Sequence, residues 1–151
     1  MHYWLMKTEP DTFSIDDLSR DGKTMWSGVR NFAARNNMMQ MSVGDIILFY
    51  HSSCPENGVY GLGKVVSAAQ PDTTQLDKNS PYYDARATNE KAIWYCVEVG
   101  FVEKFSRPFL LVDIKNDTKL SGMMLIQRSR LSVQPVSETH FKYIYRVATQ
   151  L

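Results

Sequence analysis

Five consecutive apolar residues, Ile46-Ile-Leu-Phe-Tyr50, constrain the fold of this chain more than any other feature. They follow a Gly44-Asp45 turn and run directly into His51-Ser52, so the segment is short, β-rich and bounded at both ends. Such a run is a buried strand, and a buried strand must be covered by other layers.

The flanking segments supply that cover. His2 to Met6 is a second short strand rich in aromatics. Ser14 stands three residues before Asp17, a capping box that opens a helix from Ile15 to Ser19, and Asp21-Gly22 stops it. A second helix is expected from Asn31 to Met41, with Ala34, Met38 and Met41 at helical spacing on its inner face. Val59 to Val66 reads as a strand whose Gly61 and Gly63 mark a bulge, a sharp bend or a close approach. Residues 70 to 91 are polar and read as a long surface loop, and Ile93 to Val102 is dense in β-formers. Pro108 is placed at the start of a short helix running to Lys115. From Arg130 to Gln134 the pattern alternates, with Leu131 and Val133 on one face and Arg130, Ser132 and Gln134 on the other. Ser137 then caps a last helix carrying Phe141, Ile144, Tyr145 and Ala148 at helical spacing. The sum is an α+β domain on a small mixed or antiparallel barrel, with inserted and flanking helices.

Bulk properties exclude several classes. A chain of 151 residues is a normal single-domain length, enough to bury roughly 70% of the surface its unfolded form exposes. No apolar run approaches the ~20 residues of a membrane span, and the N-terminus lacks the pattern of a signal peptide. Two cysteines, Cys54 and Cys96, are too few for a disulfide framework and lack paired zinc-ligand spacing. The expectation is a soluble cytoplasmic protein, or a nuclear one in a eukaryote, with no cofactor and no metal. Net charge is only +1, so attraction to nucleic acid has to come from a local patch. The last third offers one: residues 104 to 151 hold eight Lys and Arg against Asp113, Asp117 and Glu138.

The segment from Trp26 to Ser52 carries the chemistry. Trp26 precedes Ser27-Gly28 in a turn, where a large ring has little core to enter and is free to stack on a planar ligand. Arg30 and Asn31 open a helix whose free N–H groups favour an anion, although Asn31 equally suits a plain helix cap. Tyr50, His51 and Ser52 end a buried strand and point toward a pocket. His51 has no partner for a catalytic triad, so a hydrogen-bonding or structural role suits it. Lys7-Thr8-Glu9 ends the first strand and is either a strand-end ion pair or an amide-hydrolysing set. There is no phosphate-binding glycine loop and no dinucleotide fingerprint.

Several motifs in order, Tyr3-Trp-Leu-Met-Lys-Thr-Glu-Pro10, Trp26-Ser-Gly-Val-Arg-Asn-Phe32, Ala34-Arg-Asn-Asn37, Gly44-Asp45, Phe49-Tyr-His-Ser52, Tyr82-Tyr-Asp84 and Arg130-Leu-Ser-Val-Gln-Pro-Val136, resemble the EVE domain family across nearly the whole chain. The resemblance implies a PUA-like barrel, related to YTH and ASCH domains, that recognises a modified base. The base implied is chiefly modified cytosine, such as 5-methyl- or 5-hydroxymethylcytosine, in DNA, with RNA as a second carrier. It also implies a pocket built from Trp26, Ser27, Val29, Asn31, Tyr50, His51 and Ser52, joined by Arg130, Ser132 and Gln134; Arg30 is added as a ligand-binding residue on its own chemistry. Two alternatives stand beside this reader. One is a hydrolase of modified cytidine using Lys7, Thr8 and Glu9, by resemblance to the ASCH domains. The other is an interaction module for a peptide or small ligand.

Overall fold

The computed structural model describes residues 1–150. Strand β1 (Tyr3–Thr8) is followed by helix α1 (Ile15–Asp21), the short strand β2 (Lys23–Met25) and helix α2 (Phe32–Met39). Strands β3 (Ile46–His51) and β4 (Gly58–Val65) come next, then a small two-stranded ribbon of β5 (Gln70–Pro71) and β6 (Tyr95–Cys96). The long strand β7 (Glu98–Leu110) leads into helices α3 (Leu111–Lys115) and α4 (Met124–Gln127), and the chain closes with β8 (Val133–Val136) and helix α5 (Glu138–Thr149).

Six strands form one curled, half-barrel sheet in the order β2-β7-β4-β3-β1-β8. Only β1 and β3 pair in parallel; every other neighbour is antiparallel. The apolar run of β3 is central because both faces of the sheet are covered. Trp4, Met6, Ile47 and Phe49 face a core closed by Ile15 and Leu18 of α1 and by Ala34 and Met38 of α2. Leu5, Leu48 and Tyr50 face the opposite core, closed by Ile114, Leu125, Phe141 and Ile144. Continuous hydrophobicity therefore replaces alternation in these strands, as it does wherever a sheet is buried on both sides.

The helix signals operate as expected. Ser14 and Asp17 form the capping box, Asn31 caps α2 through a bond from the Ala34 amide, and Ser137 caps α5. Met41 lies beyond the end of α2 but is buried with Ala34 and Met38. A second polar fastening joins the parallel pair: buried Asp45 accepts from the His2 and Ser42 amides and from Trp4 Nε1. Burial pushes its pKa up, but those hydrogen bonds outweigh it and hold the carboxyl below its ordinary value.

Two expectations need correction. Pro108 starts no helix; it lies inside β7, which runs on to Leu110. The register of β4 against β7 jumps from Val59–Phe109 to Gly61–Lys104, so Pro108 falls in an irregular stretch where its missing N–H removes no ladder bond. The far side of the Arg130–Gln134 alternation is divided: Arg130 is exposed and Ser132 half-buried, but Gln134 is fully buried, because there the strand meets the second core.

Gly61 sits at the bulge where β4 meets β7, and a Cβ there would lie 2.3 Å from the Glu103 carbonyl oxygen. Backbone cannot yield as a side-chain tip can. Gly61→Ala is expected to lower unfolding free energy by about 1–3 kcal/mol or more in urea titration. An unchanged midpoint would show that the two strands can part at no cost.

Candidate base-binding cleft

The sheet does not close into a barrel, and a cavity of about 540 Å³ opens between its two edges. Thr24 and Met25 of edge strand β2 line one side, and Ser132, just before edge strand β8, lines the other. The end of β1 supplies Lys7 and Thr8, followed by Glu9; Phe13 and the turn Trp26–Arg30 complete the wall with Tyr82. The volume suits a small ligand of nucleobase size.

Trp26 is more deeply set than the sequence suggests. Its amide donates to the Val97 carbonyl at 2.8 Å, which turns the ring under the sheet and edge-on to Phe49 at 5.5 Å. Only 8% of the residue is exposed, so Trp26 belongs to the core and contributes to the cleft floor. Gly28 next to it has φ +87, and a Cβ there would lie 2.8 Å from the Tyr82 ring. A glycine is thus required on two counts, and Tyr82 rests directly on the turn.

Arg30 holds that arrangement. Its guanidinium donates to the Asp72 carboxylate at 3.1 Å, to Thr74 Oγ1 at 3.1 Å and twice to the Tyr82 carbonyl, at 2.8 and 3.0 Å. It also lies 5.3 Å from the centre of the Trp94 ring, which stacks on Phe32. Asp72 is buried and further accepts from the Gly28 amide and from the amide and hydroxyl of Thr74. Burial pushes its pKa up, yet these donors more than compensate and keep it below the ordinary carboxylate value. Gln75, also buried, accepts from the Ile93 and Trp94 amides and donates to the Asp72 and Trp94 carbonyls. The polar segment after residue 70 is therefore a pinned wall, with Asp72 and Gln75 turned inward.

The structure brings Trp26, Ser27, Val29, Arg30 and Ser132 to the cleft, together with Lys7, Thr8 and Glu9. Asn31 and Arg130 line a separate depression beside it. Tyr50, His51, Ser52 and Gln134 do not line the cleft. Tyr50 faces the opposite core, where burial pushes its hydroxyl pKa up to about 12. His51 is buried, stacks on Tyr60 at 3.9 Å and accepts from the Ile15 amide at 3.1 Å, so it fastens the start of α1. The Ser52 amide donates to the Thr8 carbonyl and continues the parallel ladder. Phe13, Thr24 and Met25 escaped the sequence reading, because no local pattern marks a residue that only the curl of the sheet brings to an edge. Lys7 donates to the Ser129 carbonyl at 2.5 Å, and burial lowers its pKa. Cys96 is buried and its thiol is pushed up to about 11.

Two measurements test these supports. Asp72→Ala strands the Arg30 charge and two amides, and is expected to cost about 3–5 kcal/mol of stability in urea titration; a loss under about 1 kcal/mol would show the network to be ornamental. His51 is held neutral, and burial pushes its pKa below 6.5, so the unfolded chain takes up the proton first as pH falls. Its contribution is complete above about pH 6.5 and is lost below that, by at most about 1.4 kcal/mol per pH unit. His51→Gln keeps an acceptor and should flatten the fall in Tm between about pH 7 and pH 5; an unaltered fall would assign that sensitivity to other groups.

Comparison with known proteins identifies the family and the fold. Residues 2–147 match the family model of the EVE domain. Human thymocyte nuclear protein 1 is 38% identical over 94% of this chain and 72% of its own length. A solved protein of Leishmania major superposes with a TM-score of 0.95 at 51% identity, covering 98% of this chain and 94% of that one. The human THYN1 protein in complex with 5-methylcytosine-containing DNA superposes with a TM-score of 0.94 at 36% identity, covering 100% and 99%. An ASCH protein of Zymomonas mobilis, at a TM-score of 0.57 and 7% identity over 97% and 99%, shares the fold alone. On the strength of its sequence and its architecture, this chain belongs to the EVE domain family.

Proposed function

We propose that this chain is a non-enzymatic DNA-binding module that holds one modified cytosine, such as 5-methyl- or 5-hydroxymethylcytosine, in the cleft between its sheet edges. The observation that carries this reading is the composition of that cleft. Trp26, Phe13, Val29 and Tyr82 offer apolar faces; Ser27, Thr24 and Ser132 offer hydroxyls; Glu9 is the one carboxylate among the lining residues. A methyl group adds no charge to cytosine, so its recognition rests on shape, apolar contact and hydrogen bonds to the base edge. A base inside a duplex must leave its stack to enter a recessed site of this kind. The solved human relative bound to 5-methylcytosine-containing DNA supports the same ligand class. In this reading Trp26, Ser27, Val29 and Ser132 meet the base, and Arg30 fixes the wall through Asp72 and Tyr82. Tyr50, His51, Ser52 and Gln134 support the frame from behind.

The test is a titration of Trp emission with short DNA and RNA oligomers carrying cytosine, 5-methylcytosine or 5-hydroxymethylcytosine. Modified DNA is expected to bind more tightly than its unmodified counterpart. Trp26→Ala is a poor control, since emptying so buried a site costs about 3–5 kcal/mol in stability. Ser132→Tyr fills the cleft from its edge instead. It should reduce binding of the modified oligomer at least about tenfold, the worth of one stacked base, with Tm nearly unchanged. Equal affinity for all oligomers, or undiminished preference in Ser132→Tyr, would refute the assignment.

One observation favours a second reading, hydrolysis of an acylated cytidine: Lys7, Thr8 and Glu9 all line the same cleft. Product formation lost in Lys7→Ala would establish it, and no product across a panel of modified cytidines would remove it.

A further inference from the structure

The loop between α4 and β8, Arg128 to Ser132, turns most of its carbonyl groups inward. Four of its carbonyl groups, those of Arg128, Ser129, Leu131 and Ser132, are held by two side chains and a backbone amide from elsewhere in the chain. Gln134 Nε2 donates to the Arg128 and Leu131 carbonyls, at 3.3 and 2.7 Å, and Lys7 Nζ donates to that of Ser129 at 2.5 Å. The Lys7 amide takes the Ser132 carbonyl, and just beyond the loop Asn37 Nδ2 takes that of Val133 at 2.7 Å. Those four loop acceptors are thus engaged, while the amides of Ser129 and Arg130 have no protein acceptor among the described residues. Arg128 and Arg130 are exposed, and neither enters an ion pair among the described residues.

This loop and Asn31 enclose a depression of about 290 Å³. Its lining residues are two arginines, an asparagine, a glutamine, a serine and a leucine, with no carboxylate among them. That donor-rich, acid-free composition selects an anion. The position narrows the class further. Arg30 lines the cleft and Asn31 the depression; Ser132 lines the cleft and Leu131 the depression. The two hollows therefore adjoin at two places, where consecutive residues of the chain line one and then the other. In a nucleotide, base and phosphate are likewise separated by a single sugar.

We infer that the depression seats a backbone phosphate of the DNA strand whose base occupies the cleft, an assignment that rests on the reading of the cleft as a base pocket. Labour is then divided: the cleft discriminates among bases, and the segment from Gln127 to Leu131 supplies sequence-independent, salt-sensitive affinity. Lys7 links the two, since it lines the cleft and fixes the Ser129 carbonyl. The small net charge of +1 makes such a local seat necessary, because no overall field draws DNA in.

The experiment compares wild type with Arg128→Gln/Arg130→Gln and with a control, Arg107→Gln/Lys115→Gln, which removes the same charge from exposed positions outside the depression. Binding of cytosine and 5-methylcytosine oligomers is measured over a range of salt. For the Arg128/Arg130 pair, the slope of log K against log salt should shrink by about 1. Affinity should fall by a similar factor for both oligomers, so their ratio persists. The control should keep the wild-type slope, and binding of free 5-methyl-2′-deoxycytidine, which carries no phosphate, should be unaffected by either pair. An unchanged slope in Arg128→Gln/Arg130→Gln, or an equal change in the control, would overturn the phosphate seat. If wild type fails to prefer the modified oligomer while the slope still shrinks, the base reading fails and the seat stands.

Discussion

A single carboxylate, that of Asp72, decides the shape of the cleft. It is buried, and an isolated buried charge would be prohibitively costly, so four donors converge on it: the Gly28 amide, the Arg30 guanidinium, and the amide and hydroxyl of Thr74. Those donors come from two segments more than 40 residues apart. Fastening them together lays the chain after residue 70 against the turn at Trp26–Arg30. Tyr82 follows, because Arg30 grips its carbonyl and Gly28 leaves room for its ring. Trp94 is fixed on the other side by Gln75, by the Asp84 carboxylate and by the face of Phe32. One wall of the site is thus a polar network under an irregular segment, standing opposite a regular sheet edge.

What could be read in the residues divides along the same line. Periodicity and capping are local, and they located β1, β3, β4, α1, α2 and α5 close to their observed positions. Pro108 misled because its tolerance inside β7 depends on a register jump that only the partner strand creates. Gln134 misled because alternation identifies two faces without telling whether the second meets solvent or another core. Asp72 and Gln75 read as loop polarity, since nothing in a polar sequence distinguishes a side chain that faces water from one that satisfies buried amides.

The family motifs combine two kinds of residue that look alike on the page. Trp26-Ser-Gly-Val-Arg contributes directly to the cleft. Tyr50-His51-Ser52 serves the frame instead: Tyr50 packs into the far core, His51 holds the first amide of α1, and Ser52 extends the parallel pairing. A motif that identifies a family can therefore combine residues that line the cleft with residues that lie one layer of the sheet behind it.

A sheet left open has two edges whose backbone groups lack a neighbouring strand, and such edges ordinarily invite a second chain to pair. Here β2 is three residues long, and β8 is four with Pro135 among them. Neither offers the length of ladder that another copy needs to take hold. The cleft can therefore stay open to a ligand without becoming a point of self-association, and brevity at the edges protects the molecule where closure of the barrel would otherwise have done so.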